Sequence, residues 1–168
     1  MTLILGIDPG SIKTGFGVIS HQQGRSEYVA SGIIRLPKLA MPERLKVIFD
    51  SVTEIVQQYS PDELSIEEVF MARDAKAAIK LGQARGVAIV ACVNHSMPVY
   101  EYAAKSIKQA VVGTGSADKI QVQHMVKSLL KLPAAPKEDA ADALAAALCH
   151  AHTQQSMMRI ARSKNFSK

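Results

Sequence analysis

The stretch LILGIDPGSIKTGFGVI carries a continuous apolar run from Leu3 to Ile7 into a single carboxylate, Asp8, and stops it at once with Pro9 and Gly10. The run is short, branched and apolar on both parities, the pattern of a strand covered on both faces, and Pro9 cannot donate to a sheet ladder. Asp8 is therefore predicted at the end of a buried strand, facing a crevice. A carboxylate bordering apolar surroundings is costly unless it is hydrogen-bonded, paired or metal-bound. Taken alone, the segment fits an ordinary turn acid before Pro-Gly equally well.

Two further segments place acids in comparable settings. In PDELSIEEVFMARDAKAAIK a short strand-like run, Leu64 to Ile66, ends at Glu67 and Glu68 after the turn signal Pro61-Asp62. Adjacent strand residues point to opposite faces, so only one of the two glutamates can look toward Asp8. In KLPAAPKEDAADALAAALCHAH a Pro-rich approach gives way to an Ala-rich helix, with Asp139 and Asp142 three residues apart on one face. That face continues through Ala143 and Ala146, small residues suited to close packing on a sheet. Glu138 and Asp139 also suit a helix start by opposing the macrodipole, a role that fades before Asp142. Asp8, Glu67, Asp139 and Asp142 together make a candidate oxygen-ligand set for a hard divalent cation such as Mg2+.

A chain of 168 residues with 48% hydrophobic content can bury one sizeable core, and no internal repeat or low-complexity linker divides it. We expect a single domain over residues 1–155, followed by a basic tail at 156–168, MMRIARSKNFSK with the residue before it, as a candidate for disorder and nonspecific DNA affinity. The net charge of +5 becomes more basic still if four acids are withdrawn into a metal site, the balance expected of a polyanion binder. The N-terminal apolar run is too short to span a bilayer and lacks a basic start, so a cytoplasmic protein is expected. Cys92 and Cys149 lie in apolar helical contexts as buried thiols, and no histidine has the spacing of a zinc site.

Along the chain, Gly15 to Ile19 and Tyr28 to Arg35 read as strands separated by HQQGRS, forming an antiparallel meander with the first strand. A helix follows with Pro42 in its first turn and one face made by Leu45, Ile48, Phe49, Val52, Ile55, Val56 and Tyr59. Next come the strand at Leu64, a helix from about Asp74 to Val93, a strand at Val99 to Tyr102, and helices after Ser116 and after Pro136. Meander strands followed by β-α alternation predict an α/β fold: a mixed five-stranded sheet with helices on both faces.

Several segments could hold DNA. Arg73, Lys76 and Lys80 recur at helical spacing just beyond Glu67, although a solvated helix face explains such a stripe as well. Phe70 lies between, where an exposed aromatic can stack on an unpaired base and a buried one would serve the core. In VVGTGSADK, Ser116 is the expected helix N-cap, and Lys119 in the first turn opposes the dipole unless a phosphate is present. Gly82 and Gly86, a helical turn apart in KLGQARGVAIVACV, would permit close approach of a second helix or of the sheet.

The segments GIDPGSIKTGFGVI, IEEVFMARDAKAAIKLGQARG, VGTGSADK and EDAADALAAAL, in this order and spacing, resemble the bacterial RuvC crossover junction endodeoxyribonucleases over nearly the whole chain. The resemblance implies a ribonuclease-H-like fold and a homodimer. It also implies magnesium-dependent nicking of two opposing strands of a four-way (Holliday) DNA junction in recombination and repair. The family's acidic tetrad falls on Asp8, Glu67, Asp139 and Asp142, its junction-contacting aromatic on Phe70, and basic DNA contacts on Lys108 and Lys119. A RuvA and RuvB branch-migration complex is the partner it implies. The chemistry expected of such a site is two Mg2+ per subunit with DNA bound, about 4 Å apart, with Mn2+ as a substitute. Asp8 would bridge both, Glu67 would serve one, and Asp139 and Asp142 would anchor the other, leaving 5′-phosphate and 3′-hydroxyl ends.

Two other classes compete. An ATP-dependent kinase or chaperone of the actin-like type could use a similar strand-Asp-Gly hairpin for phosphates, but it needs two such domains and this chain has room for one. A non-catalytic junction-binding module would explain the charge and Phe70, yet it leaves four acids beside DNA without a purpose.

Overall fold

The computed structural model describes residues 1–69 and 74–165. Its first three strands are β1 (Thr2–Asp8), β2 (Lys13–Gln22) and β3 (Arg25–Arg35), and β1–β2 and β2–β3 both pair antiparallel. After helix α1 (Met41–Tyr59), strand β4 (Glu63–Glu67) adds parallel to β1. After helix α2 (Ala75–Val93), strand β5 (Val99–Tyr102) adds parallel to β4, giving the order β3-β2-β1-β4-β5. Three helices complete the chain: α3 (Ala104–Val112), α4 (Lys119–Leu129) and α5 (Glu138–Asn165). This is the mixed five-stranded sheet that the meander and the β-α alternation predict.

The alternation of side chains along β1 sorts the two cores. Leu5 and Ile7 point to the face covered by α1 and α2, where they meet Ile48, Val52, Leu64, Ile66, Ala84 and Ala88. Ile4 points the other way, into a core with Ile107, Val122, Leu144 and Leu148 from α3, α4 and α5. Both faces are covered, as the uninterrupted apolar run of β1 requires.

Helix α5 lies directly on the sheet because glycines of β1 and β2 leave room for its backbone. A Cβ on Gly6 would collide with the Ala143 carbonyl oxygen, and one on Gly15 with the carbonyl oxygen of Asp139. Ala143, Ala146 and Ala147 are fully or almost fully buried in return. The Ser65 hydroxyl donates to the Ala146 carbonyl oxygen at 2.7 Å, fixing β4 to the same helix. Further along, His150 is wholly buried between Tyr100, whose ring stacks on it at 4.1 Å, and Glu63, whose Oε2 lies 2.8 Å from Nε2. With the carboxylate accepting from Nε2, Nδ1 is left to accept from the Tyr102 hydroxyl at 2.6 Å.

Several details differ from the sequence reading. The loop expected over HQQGRS closes to a two-residue turn, Gln23-Gly24, with φ of 51° and 81°, the left-handed pair that matches the twist of a hairpin. The N-cap of α4 is Asp118 rather than Ser116, because Gln121 three residues on completes a reciprocal capping box with it. Ser116 pairs instead with the Thr114 hydroxyl at 3.0 Å. Helix α3 has no counterpart in the sequence reading. Residues 156–165 prolong α5 as helix, so that part of the expected tail is helical, exposed where it outruns the sheet. Both cysteines are free and buried. Among the described residues, no helix is long and apolar enough to cross a membrane.

Candidate active site

β1 and β4 run parallel, with Ile7 opposite Ile66, so Asp8 and Glu67 finish neighbouring strands at the same end of the sheet. Parity decides which glutamate joins. Leu64 and Ile66 are in the α1/α2 core and Ser65 bonds to α5, so Glu67 shares the α5 face with Ser65, while Glu68 falls on the opposite parity. The first turns of α5 come down on this strand end and bring Asp139 and Asp142. All four half-buried acids line one cavity of about 340 Å3, together with Glu138 from α5, Lys108 from α3 and Lys119 from α4.

The cavity is electrostatically strained. Burial pushes the Asp8 carboxyl up to about 8, and the charges of Asp142, Glu67 and Asp139 add to the shift, with Lys119 alone opposing it. Glu67 is raised by burial and by Asp142, with Lys108 pulling it down. Asp142 is raised first by burial, and Lys119 is the largest influence in the other direction. Four carboxylates held together at such a cost, with an all-oxygen donor set and no sulfur or imidazole among the lining residues, fit hard divalent cations. As the side chains stand, no three of them close around one point among the described residues. At α5, Asp139 Oδ2 is engaged by Lys13 Nζ at 2.6 Å and Glu138 pairs with Lys119.

The loop that follows Asp8 is tied to β2 and α1 by hydrogen bonds. The buried Thr14 hydroxyl bonds both to the Gly10 amide at 3.3 Å and to the Gly10 carbonyl at 3.2 Å. Arg44 of α1 donates to the Ser11 carbonyl oxygen at 3.0 Å. Lys13 is thus delivered to Asp139 by a fixed turn.

Of the residues singled out for DNA, Lys108 and Lys119 lie in the cavity wall. Lys76 and Lys80 are exposed on the first turns of α2, outside the acidic cavity. Phe70 and Arg73 lie outside the described residues. Lys13 and Glu138 were not among the residues read from the sequence as site members. Lys13 stands five positions after Asp8 and, once β1 and β2 are read as a hairpin, its place beside the strand end could have been seen.

The sequence model of the family described as crossover junction endodeoxyribonuclease RuvC matches residues 4–150. The chain belongs to the RuvC family. Among its relatives, a RuvC from Saccharophagus degradans is 59% identical over 169 residues, covering 100% of this chain and 98% of its own. One from Tolumonas auensis is 62% identical over 161 residues, covering 96% and 93%. Among solved structures, T. thermophilus RuvC in complex with a Holliday junction substrate aligns with a TM-score of 0.86 at 33% identity, over 93% of this chain and 96% of that one. The yeast mitochondrial Holliday junction resolvase aligns with a TM-score of 0.70 at 10% identity, over 97% of this chain and 85% of that one, a likeness of fold alone. The ribonuclease-H-like architecture expected of a RuvC is therefore the architecture of this chain.

Proposed function

We propose that this chain is a Holliday junction resolvase that nicks four-way DNA junctions, with Asp8, Glu67, Asp139 and Asp142 as its metal-binding catalytic acids. The observation that carries this reading is the meeting of these four carboxylates in one lysine-walled cavity at the end of the two central strands. Acids so arranged would repel a DNA phosphate unless cations intervened. Two bound Mg2+ ions would activate the attacking water and stabilise the leaving 3′ oxygen, and Mn2+ has the same ligand preference.

The chain's own groups do the rest. Asp8, at the end of β1 between Glu67 and the start of α5, would be the central ligand of the metal site. Glu67 would hold metal from β4, and Asp139 and Asp142, three apart on one helix face, would hold it from α5. Lys108 and Lys119 stand where they can meet the phosphate that enters the cavity. Lys76 and Lys80 extend positive charge along α2 for the flanking backbone, and Phe70 and Arg73 belong to the segment between Glu67 and that helix.

A homodimer follows from symmetry. Paired nicks across a two-fold junction need two sites, and this chain contains one. Helix α2 offers the surface. A Cβ at Gly82 or Gly86 would meet nothing within 4 Å, and Ile79, Val90 and Val93 are exposed on the same helix at compatible spacing. Residues 1–155 would form the nuclease domain, with the end of α5 adding basic charge. A RuvA and RuvB complex is the branch-migration partner in keeping with family membership.

The test compares magnesium-dependent cleavage of a mobile four-way junction with that of a linear duplex of identical sequence, using wild type and Asp8→Asn. Paired symmetric nicks in the junction alone, lost in Asp8→Asn while junction binding persists, are expected. Tight binding with no cutting in magnesium or manganese would leave a binding module instead.

A further inference from the structure

Glu67 can face Asp8 only while the last peptide of β4 keeps its orientation, and that peptide stands where the ladder runs out. Its outer neighbour β5 ends at Tyr102, and the Glu68 amide makes the last ladder contact, donating to the Tyr102 carbonyl oxygen at 2.9 Å. The Glu67 carbonyl oxygen is held from a different direction. Arg85 of α2 donates to it through Nε at 2.9 Å and uses the other arm of its guanidinium to pair with Glu101 of β5. The Arg85 side chain is only 17% exposed, so the arrangement is packed in place. It sits behind the strand end, with Glu68, Val69, Gly82 and Glu101, and does not line the acidic cavity.

We propose that Arg85 is a positioning residue for Glu67, a clamp that fixes the backbone of β4 so that the glutamate carboxylate stays aimed into the four-acid cavity. This inference rests on Glu67 acting as a metal ligand, as proposed above. The clamp needs a guanidinium. Its fork presents Nε to a carbonyl and a terminal nitrogen to a carboxylate in fixed relative directions, and a single ammonium cannot satisfy both. Because Arg85 comes from α2, the clamp also ties the catalytic strand end to the helix whose open face carries Gly82 and Gly86. Glu101 completes the device by balancing the charge and holding the fork in one plane.

The experiment measures Mn2+ binding to the DNA-free protein by calorimetry or electron paramagnetic resonance, beside the Mg2+ dependence of junction cleavage, for wild type, Arg85→Met, Arg85→Lys and Glu101→Gln. Loss of a residue that orients a metal ligand weakens metal affinity by about 10–100-fold. Arg85→Met should show a loss of that size in Mn2+ affinity and a matching rise in the Mg2+ requirement, with junction binding unchanged. Arg85→Lys should recover little of it, and Glu101→Gln should show a smaller loss of the same sign. Should Arg85→Met fail to fold, the other two variants carry the same expectation. Wild-type Mn2+ affinity in these variants, with only stability or maximal rate reduced, would overturn the proposal by reducing Arg85 to a structural residue. Wild-type Mn2+ binding that Asp8→Asn leaves unchanged would instead remove the metal-site reading and the role of Arg85 with it.

Discussion

Lys13 Nζ and Asp139 Oδ2 lie 2.6 Å apart, bridging the start of β2 and the first turn of α5 at the mouth of the acidic cavity. The hydrogen bond to Asp139 raises the Lys13 ammonium above its ordinary value, so the lysine is charged throughout the neutral range. A carboxylate committed to a lysine is not free for a cation, and Lys13 must therefore compete with metal for Asp139. Lys13→Met should tighten Mn2+ binding to the DNA-free protein by about two- to fivefold, the modest scale of a solvent-screened ion pair. Calorimetric titration of both proteins checks this, and weaker binding in the variant would show that Lys13 supports the site rather than occupies it.

The Asp8 carboxyl, pushed up to about 8 by burial first and then by Asp142, Glu67 and Asp139, gives the stability of the chain a direction with pH. The unfolded carboxyl titrates near its ordinary 3.8, so between about 4 and 8 the folded protein holds a proton that the unfolded chain releases. Stability should be greatest in the acid part of that window and fall as pH rises through it. Thermal melts with a chelator present should show a lower Tm at pH 8.5 than at pH 5. The fall should be smaller in Asp8→Asn, with a residue left by Glu67 and Asp142, which shift the same way. Magnesium should restore Tm at pH 8.5 in wild type and not in Asp8→Asn. An equal fall in both proteins would mean that Asp8 is ionised in the fold without strain.

The parts of this site legible in the sequence are those set by local periodicity. Asp8 and the Glu67–Glu68 pair close apolar runs, and Asp139 and Asp142 share a helix face, so local periodicity nominates them, while the family resemblance selects Glu67 over Glu68. Where the sequence reading went astray, a nonlocal or weak signal was decisive. Helix α3 buries only Ile107 and Val111 and has no side-chain cap, too little pattern to stand out in nine residues. Ser116 is the N-cap expected from the sequence for α4, whereas the reciprocal Asp118–Gln121 spacing determines the cap. Lys13 and Arg85 act on partners brought near only by the sheet and by α5, and nothing in their immediate sequence announces those partners.

Gly6 tests how closely α5 must lie on β1. It is central in the sheet, and a Cβ there would collide with the Ala143 carbonyl oxygen, a backbone atom that cannot rotate away. Gly6→Ala must push α5 outward or bend it, and overpacking of this kind costs about 1–3 kcal/mol or more. A Tm lowered by about 5–10 °C is expected. Because α5 carries Asp139 and Asp142, the same variant should lose cleavage more steeply than stability, measured below its own melting transition. Cleavage that merely tracks the folded fraction would show that the acids tolerate movement of the helix.

Helix α2 should hold two copies together through the side that this chain leaves bare. Among the described residues, a Cβ added at Gly82 or Gly86 meets nothing within 4 Å. Replacing an exposed helical glycine removes a penalty of about 1 kcal/mol relative to alanine, and Gly86→Arg should therefore leave the isolated subunit as stable as before or more so. If the face is a two-fold contact, the same arginine meets its own copy at close range and drives the copies apart. Sedimentation velocity should then show a dimer for wild type and a monomer for Gly86→Arg. On a four-way junction the variant should release single, uncoordinated nicks in place of paired ones, because each cavity keeps its acids but loses its partner. An unchanged sedimentation coefficient with paired nicking intact would place the subunit contact on another face.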